Sequence, residues 1–270
     1  MRIGICASLE NLADAKEAGF VFGELTAGAV VPFKDEAEFS PLRNTILSAP
    51  LPIEAVNCFV PAQLKVVGPE VDFAALTSYM DITLRRISEI GAKIMVFGSG
   101  GARRSPEGYP LEQAHAQYLQ ACNAAGDIAA KYGVTIALEP LSASECNIFN
   151  YVSQGIEFVD EVKNANVKLL ADMYHMGTLQ EPTEHMTAAG ARLVHVHIDS
   201  PILPGLNGGT KYDYAGFLAT LLQTGYTGRI SIEDHSGMLG TAQSVTRLEM
   251  YRRIYDYLIS QQAKSLEDSL

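Results

Sequence analysis

The regular alternation of short apolar segments with segments of helical periodicity constrains the fold of this chain more than any other feature. Near-continuous apolar segments, each followed by a helical one, are typical of parallel strands that are buried on both faces. The eight predicted strands cover residues 2–7, 20–26, 53–59, 92–97, 134–140, 167–175, 192–201 and 228–235. Eight such units within 270 residues predict an α/β fold, a (β/α)8 TIM barrel, with residues 1–270 in a single domain.

The segments between the predicted strands carry the helical pattern. Predicted helices cover residues 9–19, 36–47, 73–91, 111–132, 153–164, 182–190, 214–225 and 241–262, and a glycine-rich loop covers residues 98–110. A doubly wound open sheet would have the same alternation. The glycine-rich turn with which such a sheet binds a dinucleotide, directly after its first strand, is absent from this sequence, which favours the closed barrel.

Charge and composition exclude several classes of partner. The formal net charge is −11, whereas proteins that bind nucleic acid use Lys and Arg against the phosphate backbone. No apolar run reaches the roughly 18 residues of a membrane span, and the amino-terminal MRIGICASLE does not resemble a signal peptide, so we expect a cytoplasmic protein. Its four scattered cysteines are then expected to be reduced thiols. A homo-oligomer is compatible with this composition.

Acidic or imidazole side chains recur at the ends of the last four predicted strands. They are Glu139, Asp172, His197 and Glu233. An unpaired charge is costly in a buried strand, and the carboxyl ends of all barrel strands meet at one face, so we expect one divalent cation to gather these residues. An oxygen-rich set favours Mn²⁺ first, with Mg²⁺, Co²⁺ and Zn²⁺ as alternatives. The competing interpretation is a buried cluster of ion pairs, which would need cationic partners.

Four short motifs resemble one known family, and the resemblance extends over nearly the whole chain. The motifs LEPLSASE, DMYH, HVHIDSP and SIED are similar to those of the sugar isomerase/epimerase family with a xylose-isomerase-like TIM barrel, which includes ketose 3-epimerases, hydroxypyruvate isomerase and inosose dehydratase. The resemblance implies that the metal ligands are Glu139, Asp172, His197 and Glu233. It also implies that Glu139 and Glu233 form an acid/base pair, and that His175 and Glu145 contact the substrate.

The resemblance implies a metal-dependent isomerase or epimerase of a small sugar, a sugar phosphate or a polyol-derived ketone. A cation that holds two adjacent oxygens of an α-hydroxy ketone acidifies the neighbouring C–H and stabilises the enediolate that forms when the proton leaves. Two glutamates would then remove and return protons. A dehydratase of the inosose or dehydroshikimate type is the alternative. An endonuclease IV-like nuclease and a non-catalytic sugar-binding barrel fit less well, because the chain is acidic and has both glutamates.

Other residues near the predicted strand ends are open to two interpretations. Asn57 ends the third strand and is expected to line the pocket, and Glu24 either lines it or pairs with an arginine across the barrel mouth. His195 is expected to be a hydrogen-bonded core histidine. Arg103 and Arg104, in the glycine-rich loop, are either solvated or recognise a phosphate or carboxylate.

One position departs from the family pattern. Ketose 3-epimerases usually carry a substrate-contacting Arg six residues after the ligand histidine, and this chain has Leu203 there. The departure leaves the identity of the substrate open. His235, on the same strand face as Glu233, is expected to orient that glutamate.

Overall fold

A computed structural model of the chain describes residues 1–200, 212–234 and 246–267. At its centre is a closed barrel in which eight parallel strands follow one another in chain order, and β1 pairs with β8. The strands are β1 Arg2–Cys6, β2 Gly23–Thr26, β3 Ile53–Asn57, β4 Ile94–Phe97, β5 Thr135–Leu138, β6 Val167–Asp172, β7 Leu193–Asp199 and β8 Arg229–Glu233. The predicted (β/α)8 TIM barrel is confirmed.

The described residues form ten α-helices outside or at the mouth of the barrel. They are α1 Leu12–Ala18, α2 Glu36–Leu47, α3 Phe73–Glu89, α4 Gly100–Arg103, α5 Leu111–Tyr132, α6 Val152–Val162, α7 Met173–Thr178, α8 Glu184–Ala189, α9 Tyr214–Gln223 and α10 Arg247–Glu267. The predicted helices over residues 36–47 and 111–132 coincide with α2 and α5. None of the helices in the described ranges is long and apolar enough to cross a membrane. All four cysteines are free thiols, as predicted.

The predicted strand over residues 167–175 is wrong in its last three residues. β6 ends at Asp172, and α7 begins at Met173. Oδ1 of Asp172 accepts hydrogen bonds from the backbone N–H groups of Tyr174 and His175, at 2.6 and 3.1 Å. Because this carboxylate caps the amino end of α7, the chain turns into a helix directly after the strand.

The register of the strands sets the height of each side chain at the carboxyl end of the barrel. Asp172 of β6 lies opposite His197 of β7, and Asp199 of β7 lies opposite Glu233 of β8. Since the ends of parallel strands in a barrel lie at one face, this register brings the ends of β6, β7 and β8 close together.

Apolar side chains fill the inside of the barrel below that face. Five buried residues from β3 to β6 form a cluster separate from the large core between strands and helices: Ala55, Ile94, Val96, Ala137 and Leu170. Ala55 pairs in register with Glu24, so this cluster lies on the inward face of the sheet, where Glu24 also lies. The polar inward-facing side chains therefore gather at the carboxyl end, where barrel enzymes have their active sites.

Candidate active site

The four predicted ligand residues converge at the carboxyl end of the barrel. Glu139 follows β5, Asp172 ends β6, His197 lies in β7 and Glu233 ends β8. Nδ1 of His197 lies 3.3 Å from Oε1 of Glu139, 3.6 Å from Oδ2 of Asp172 and 2.8 Å from Oε2 of Glu233. One donor atom from each of the four residues lies within 4.8 Å of the other three. We call these four residues the acidic cluster.

Glu24 of β2 holds the other side of the His197 ring. Its Oε1 lies 2.9 Å from Nε2 of His197, and its Oε2 lies 2.8 Å from Nε2 of His195. Oγ of Ser231 donates a third hydrogen bond to Glu24, at 2.6 Å. Because Glu24 binds Nε2 of His197, the other ring nitrogen, Nδ1, faces the acidic cluster. Glu24 thus pairs with two histidines, and the expected alternative, an arginine partner, is wrong.

The donor atoms of the acidic cluster fit a divalent cation. Oε1 of Glu139 and Nδ1 of His197 are buried and make no hydrogen bond of ordinary geometry with any residue in the described ranges. A buried polar atom without a partner is costly, and three carboxylates around one ring nitrogen repel one another. Carboxylate oxygens together with one imidazole nitrogen are ligands that Mn²⁺ and Zn²⁺ accept. These four residues could hold one such ion.

Burial and charge shift the protonation of this network in opposite directions. Burial lowers the pKa of His197, but the carboxylates of Glu24 and Glu233 outweigh it and raise that pKa well above its usual range. Burial would raise the pKa of Glu24, but the charge of His197 and the hydrogen bonds to His195 and His197 hold that pKa below its usual range. The pKa of Glu139 is raised, because burial outweighs the opposing effect of His197. A carboxyl group with a raised pKa is suited to accepting and returning a proton.

Two residues of the glycine-rich segment fix the position of Glu139. Gly98 follows β4, and a Cβ atom built on it would lie 2.1 Å from Oε2 of Glu139. Arg103, at the end of α4, is fully buried; its Nη2 donates to the backbone carbonyl of Glu139 at 2.5 Å, and its Nη1 donates to Oη of Tyr118 at 3.0 Å. Arg103 is therefore a structural cation, and the expectation that it is solvated or binds a phosphate is wrong. Arg104 is exposed, and its Nη1 donates to the backbone carbonyl of Ser144 at 3.0 Å.

Gly98→Ala should displace the Glu139 carboxylate without unfolding the chain. The new methyl group would overlap the end of a side chain that can rotate, so the barrel keeps its strands while the carboxylate moves by about 1 Å, and a misplacement of that size costs about 10²-fold in activity. We expect kcat/KM to fall by this factor with little change in the melting temperature.

Gly133→Ala is the matched comparison for Gly98→Ala. Gly133 caps α5 with a φ of 64°, a left-handed conformation, before β5 begins at the opposite end of the barrel. This substitution should lower stability by about 1 kcal/mol and leave the activity of the folded protein unchanged. If Gly98→Ala and Gly133→Ala changed kcat/KM and the melting temperature in the same way, a role of Gly98 in positioning Glu139 would be ruled out.

His175 is held in one tautomer. Its Nδ1 accepts a hydrogen bond from the backbone N–H of Ser142, at 3.1 Å, so Nε2 carries the proton and is a donor. Oε1 of Glu145 accepts from Oγ of Ser142 at 3.1 Å and lies 3.7 Å from Nδ1 of His175. His175 is buried, whereas the side chain of Glu145 is 44% exposed, so that this carboxylate is accessible to a ligand.

Asn57 lies on the other side of the barrel mouth. Its Nδ2 donates to Sγ of Cys6 at 3.5 Å. Its Oδ1 is buried, and no hydrogen bond from a described residue reaches it. This amide oxygen can therefore accept a hydrogen bond from a ligand hydroxyl.

Two adjoining cavities open at the mouth of the barrel. The smaller one, of about 420 Å³, is lined by residues that include Glu139, Leu141, Glu145, Ser99 and His175, and we call it the polar cavity. The larger one, of about 640 Å³, is lined by residues that include Cys6, Leu9, Ala29, Val31 and Leu42, and we call it the apolar cavity. The residues that line both are Thr26, Gly28, Asn57, Cys58 and Glu233.

Several of these contacts could not be expected from the sequence. Glu24 carried a signal, a charge inside an otherwise apolar strand, but its histidine partners lie more than 170 residues away along the chain. No signal in the sequence marked Gly98 or Ser142. Gly98 acts by leaving space for the Glu139 carboxylate, and Ser142 acts through its backbone N–H. The residues Leu203 and His235, singled out from the sequence, lie outside the described residues.

Comparison with known proteins gives the family of the chain. Residues 12–254 match the family described as the xylose isomerase-like TIM barrel. The chain belongs to this family. The closed eight-stranded barrel agrees with the match, and the resemblance found in the four sequence motifs is confirmed.

The curated relatives of this family member are isomerases and epimerases. An L-ribulose 3-epimerase of Methylomonas sp. (strain DH-1) is 34% identical over 142 residues, which are 52% of this chain and 49% of the epimerase. A D-psicose 3-epimerase of Agrobacterium fabrum is 29% identical over 131 residues, 46% of this chain and 44% of the relative. A hydroxypyruvate isomerase of Escherichia coli is 29% identical over 117 residues, 41% of this chain and 45% of the relative. The chain spans about half the length of the curated relatives it matches.

Solved structures of similar proteins have the same fold. The D-allulose 3-epimerase from Methylomonas sp., in complex with D-allulose, matches with a TM-score of 0.79 and 21% identity over 97% of both chains. A D-psicose 3-epimerase in the presence of D-fructose matches with a TM-score of 0.78 and 18% identity, over 97% of this chain and 99% of the other. At these sequence identities the comparison shows a shared fold, which extends over almost the entire length of this chain.

Proposed function

We propose that this protein is a divalent-metal-dependent isomerase or epimerase of a small, uncharged sugar or polyol-derived ketone. The observation that carries the proposal is the convergence of the acidic cluster on Nδ1 of His197, with two of its buried donor atoms lacking a hydrogen bond from the described residues. The names of the relatives support it, because L-ribulose, D-psicose and hydroxypyruvate are all small α-hydroxy ketones.

The acidic cluster would hold the metal ion. Mn²⁺ is the expected ion, with Mg²⁺, Co²⁺ and Zn²⁺ as alternatives, because three carboxylates and one imidazole form an oxygen-rich set. When bound, a divalent cation polarises a substrate carbonyl and stabilises the negative charge of an enediolate. Glu24 keeps the His197 ring in the orientation and tautomer that such a ligand needs.

Glu139 and Glu233 are the proposed acid/base pair. They extend from β5 and β8, which are three strands apart around the barrel, and so they approach a ligand in the polar cavity from different sides. One carboxylate takes the proton of the C–H next to the carbonyl, and the other returns a proton. Return to the same carbon from the opposite face gives the epimer, and return to the neighbouring carbon gives the isomer.

Three further residues would orient the sugar. Nε2–H of His175 donates to a substrate oxygen, and the Ser142 contact keeps the proton on that nitrogen. The half-exposed carboxylate of Glu145 accepts from a sugar hydroxyl, and Oδ1 of Asn57 accepts from another. All three residues line the polar cavity.

The charges at the mouth favour an uncharged substrate over a sugar phosphate. No Lys or Arg is found among the described residues that line the two cavities. Six acidic residues line them: Glu10, Glu24, Glu139, Glu145, Glu233 and Asp234. A phosphate or carboxylate needs Arg, Lys or backbone N–H donors, and nearby carboxylates repel it. Of the two arginines that the sequence offered for this purpose, Arg103 is buried and Arg104 lines neither cavity.

Hydrogen exchange with solvent tests the proposed function. We would incubate metal-stripped protein, with and without Mn²⁺, in D₂O with D-psicose, D-fructose, L-ribulose or hydroxypyruvate, and analyse the products by mass spectrometry and chromatography. We expect at least one ketose to gain deuterium and to form its epimer or isomer only with Mn²⁺, and the anionic hydroxypyruvate to react least. Loss of water from the substrate would identify a dehydratase instead, and absence of exchange with every compound would contradict the proposal.

A further inference from the structure

The apolar cavity is larger than the sugar site needs. A six-carbon ketose has twelve non-hydrogen atoms, and at no more than about 30 Å³ each, the share of one water molecule in the liquid, it fills at most roughly 360 Å³. The polar cavity, at about 420 Å³, accommodates such a sugar by itself and contains the proposed acid/base pair. The apolar cavity adds about 640 Å³ to the same mouth.

Part of the wall of the apolar cavity is unsuited to hydroxyl groups. Six of its lining residues have aliphatic side chains: Ala7, Leu9, Leu25, Ala29, Val31 and Leu42. Sugar hydroxyls placed against such a wall would lose their hydrogen bonds to water without replacing them, whereas an apolar group gains from the same burial. Four carboxylates also line this cavity. Glu24 is bound to His195 and His197, Glu10 accepts from Oγ of Ser8 at 3.3 Å, and Glu233 and Asp234 lie at the end of β8, beside the proposed metal site.

Gly28 lies where the two cavities join. It lines both of them, and a Cβ atom built on it would meet nothing nearer than Oγ1 of Thr26, at 3.7 Å. The absence of a side chain at this position keeps the passage open. A large side chain here would fill the passage without a clash against the backbone.

From this arrangement we infer that the natural substrate is a sugar ketone that carries an apolar substituent, such as an aromatic or alkyl aglycone. The sugar ketone occupies the polar cavity, and the substituent passes Gly28 and packs against Leu9, Val31 and Leu42 in the apolar cavity. The inference rests on the proposed function and specifies the substrate class of the same site. Binding energy from a remote group of this kind raises kcat/KM when it helps to position the reacting carbon.

Three ketoses that differ at one position test the inference. They are D-fructose, 6-O-benzyl-D-fructose and 6-O-glucosyl-D-fructose, each assayed by deuterium uptake with Mn²⁺. The glucosyl compound is the control for the benzyl compound, because both block the same hydroxyl and change the ring equilibrium alike, but one substituent is polar and the other apolar. We expect kcat/KM for the benzyl compound to exceed that for the glucosyl compound by at least about tenfold, the discrimination of a well-fitting apolar pocket.

Two variants then locate the substituent, and a third is the control. Leu42→Asn places a polar group in the cavity wall and should reduce the benzyl preference by about tenfold. Gly28→Leu closes the passage and should bring kcat/KM for the benzyl compound down to that for D-fructose or below. Leu47→Asn makes the same change on the same helix, α2, at an exposed position that does not line either cavity, and should leave the preference unchanged.

The outcomes separate this inference from the proposed function. Exchange with D-fructose or the glucosyl compound, but without a preference for the benzyl compound, would overturn the inference and leave the proposed function intact. The inference would also be overturned if the preference for the benzyl compound were as large in Leu42→Asn and Gly28→Leu as in the control Leu47→Asn. The substituent would then bind elsewhere. Exchange with none of the three compounds would overturn the inference, and the proposed function would fall with it only if D-psicose, L-ribulose and hydroxypyruvate also failed to exchange.

Discussion

Glu139→Gln and Glu233→Gln should each lower the rate of deuterium exchange into a substrate by about 10³-fold, within the range measured for the loss of a general acid or base. An amide has nearly the shape of the carboxylate and keeps an oxygen that can face a cation, but it cannot accept the proton. The loss should therefore appear in kcat, with the fold preserved by circular dichroism. Burial raises the pKa of Glu139, which suits this carboxyl group to accepting a proton.

Glu181→Gln is the matched control for both variants. Glu181 is also a buried glutamate, but its Oε1 lies 2.8 Å from Nδ1 of His185, and it lines neither cavity. We expect its exchange rate to equal that of the wild type in the folded fraction. Wild-type exchange rates in both Glu139→Gln and Glu233→Gln would show that other groups move the protons.

His197→Ala should abolish tight metal binding. The wild type should retain about one divalent ion per chain after gel filtration, and loss of a direct ligand should weaken binding by more than the roughly 10- to 100-fold that loss of a supporting partner costs. Asp172→Ala should have the same effect, although it also removes the cap of α7 and so costs about 1 kcal/mol in stability. Metal content is measured by elemental analysis, independently of activity.

Thermal unfolding gives a second readout of the same prediction. A ligand at 100 times its dissociation constant stabilises the folded state by about 2.7 kcal/mol. In a chain of this size that corresponds to a rise of roughly 5–10 °C in melting temperature when Mn²⁺ is added. The rise should be absent in His197→Ala and present in His185→Ala, whose histidine contacts Glu181 outside the site. A full rise in His197→Ala, together with unchanged metal content, would rule out the acidic cluster as the binding site.

The boundary between β6 and α7 could not be predicted from the sequence. The apolar run that begins at Val167 predicted the strand, but the run continues through Met173, and nothing in its periodicity marks the point where the strand ends. The end is set by Oδ1 of Asp172, which bonds two backbone N–H groups of the next turn while Oδ2 faces His197. The Asp172 carboxylate thus both caps α7 and faces His197, and the pattern of apolar residues predicts neither contact.

The glycine-rich segment is a second example. Its composition predicted a loop with two arginines that are either solvated or bind an anion. Arg103 is instead buried, where it donates to the carbonyl of Glu139 and lies over the rings of Tyr118 and Phe149. A guanidinium group can be buried when its N–H groups and its face are both used. Since those partners come from α5 and from the loop after β5, the burial could not be foreseen from residues 98–110 alone.

The sequence by itself determined the barrel and the place of the acidic cluster in it. Eight strand–helix units can bury their apolar strands in a closed sheet, and such a sheet brings every strand end to one face, so residues at the ends of four strands had to lie near one another. The tertiary structure alone decided how those residues are held and what space they face: Glu24 against His197, Gly98 beside Glu139, and a polar cavity joined to an apolar one at Gly28. These features depend on register, depth and empty volume between segments far apart in the chain, and no local pattern of residues encodes such distances.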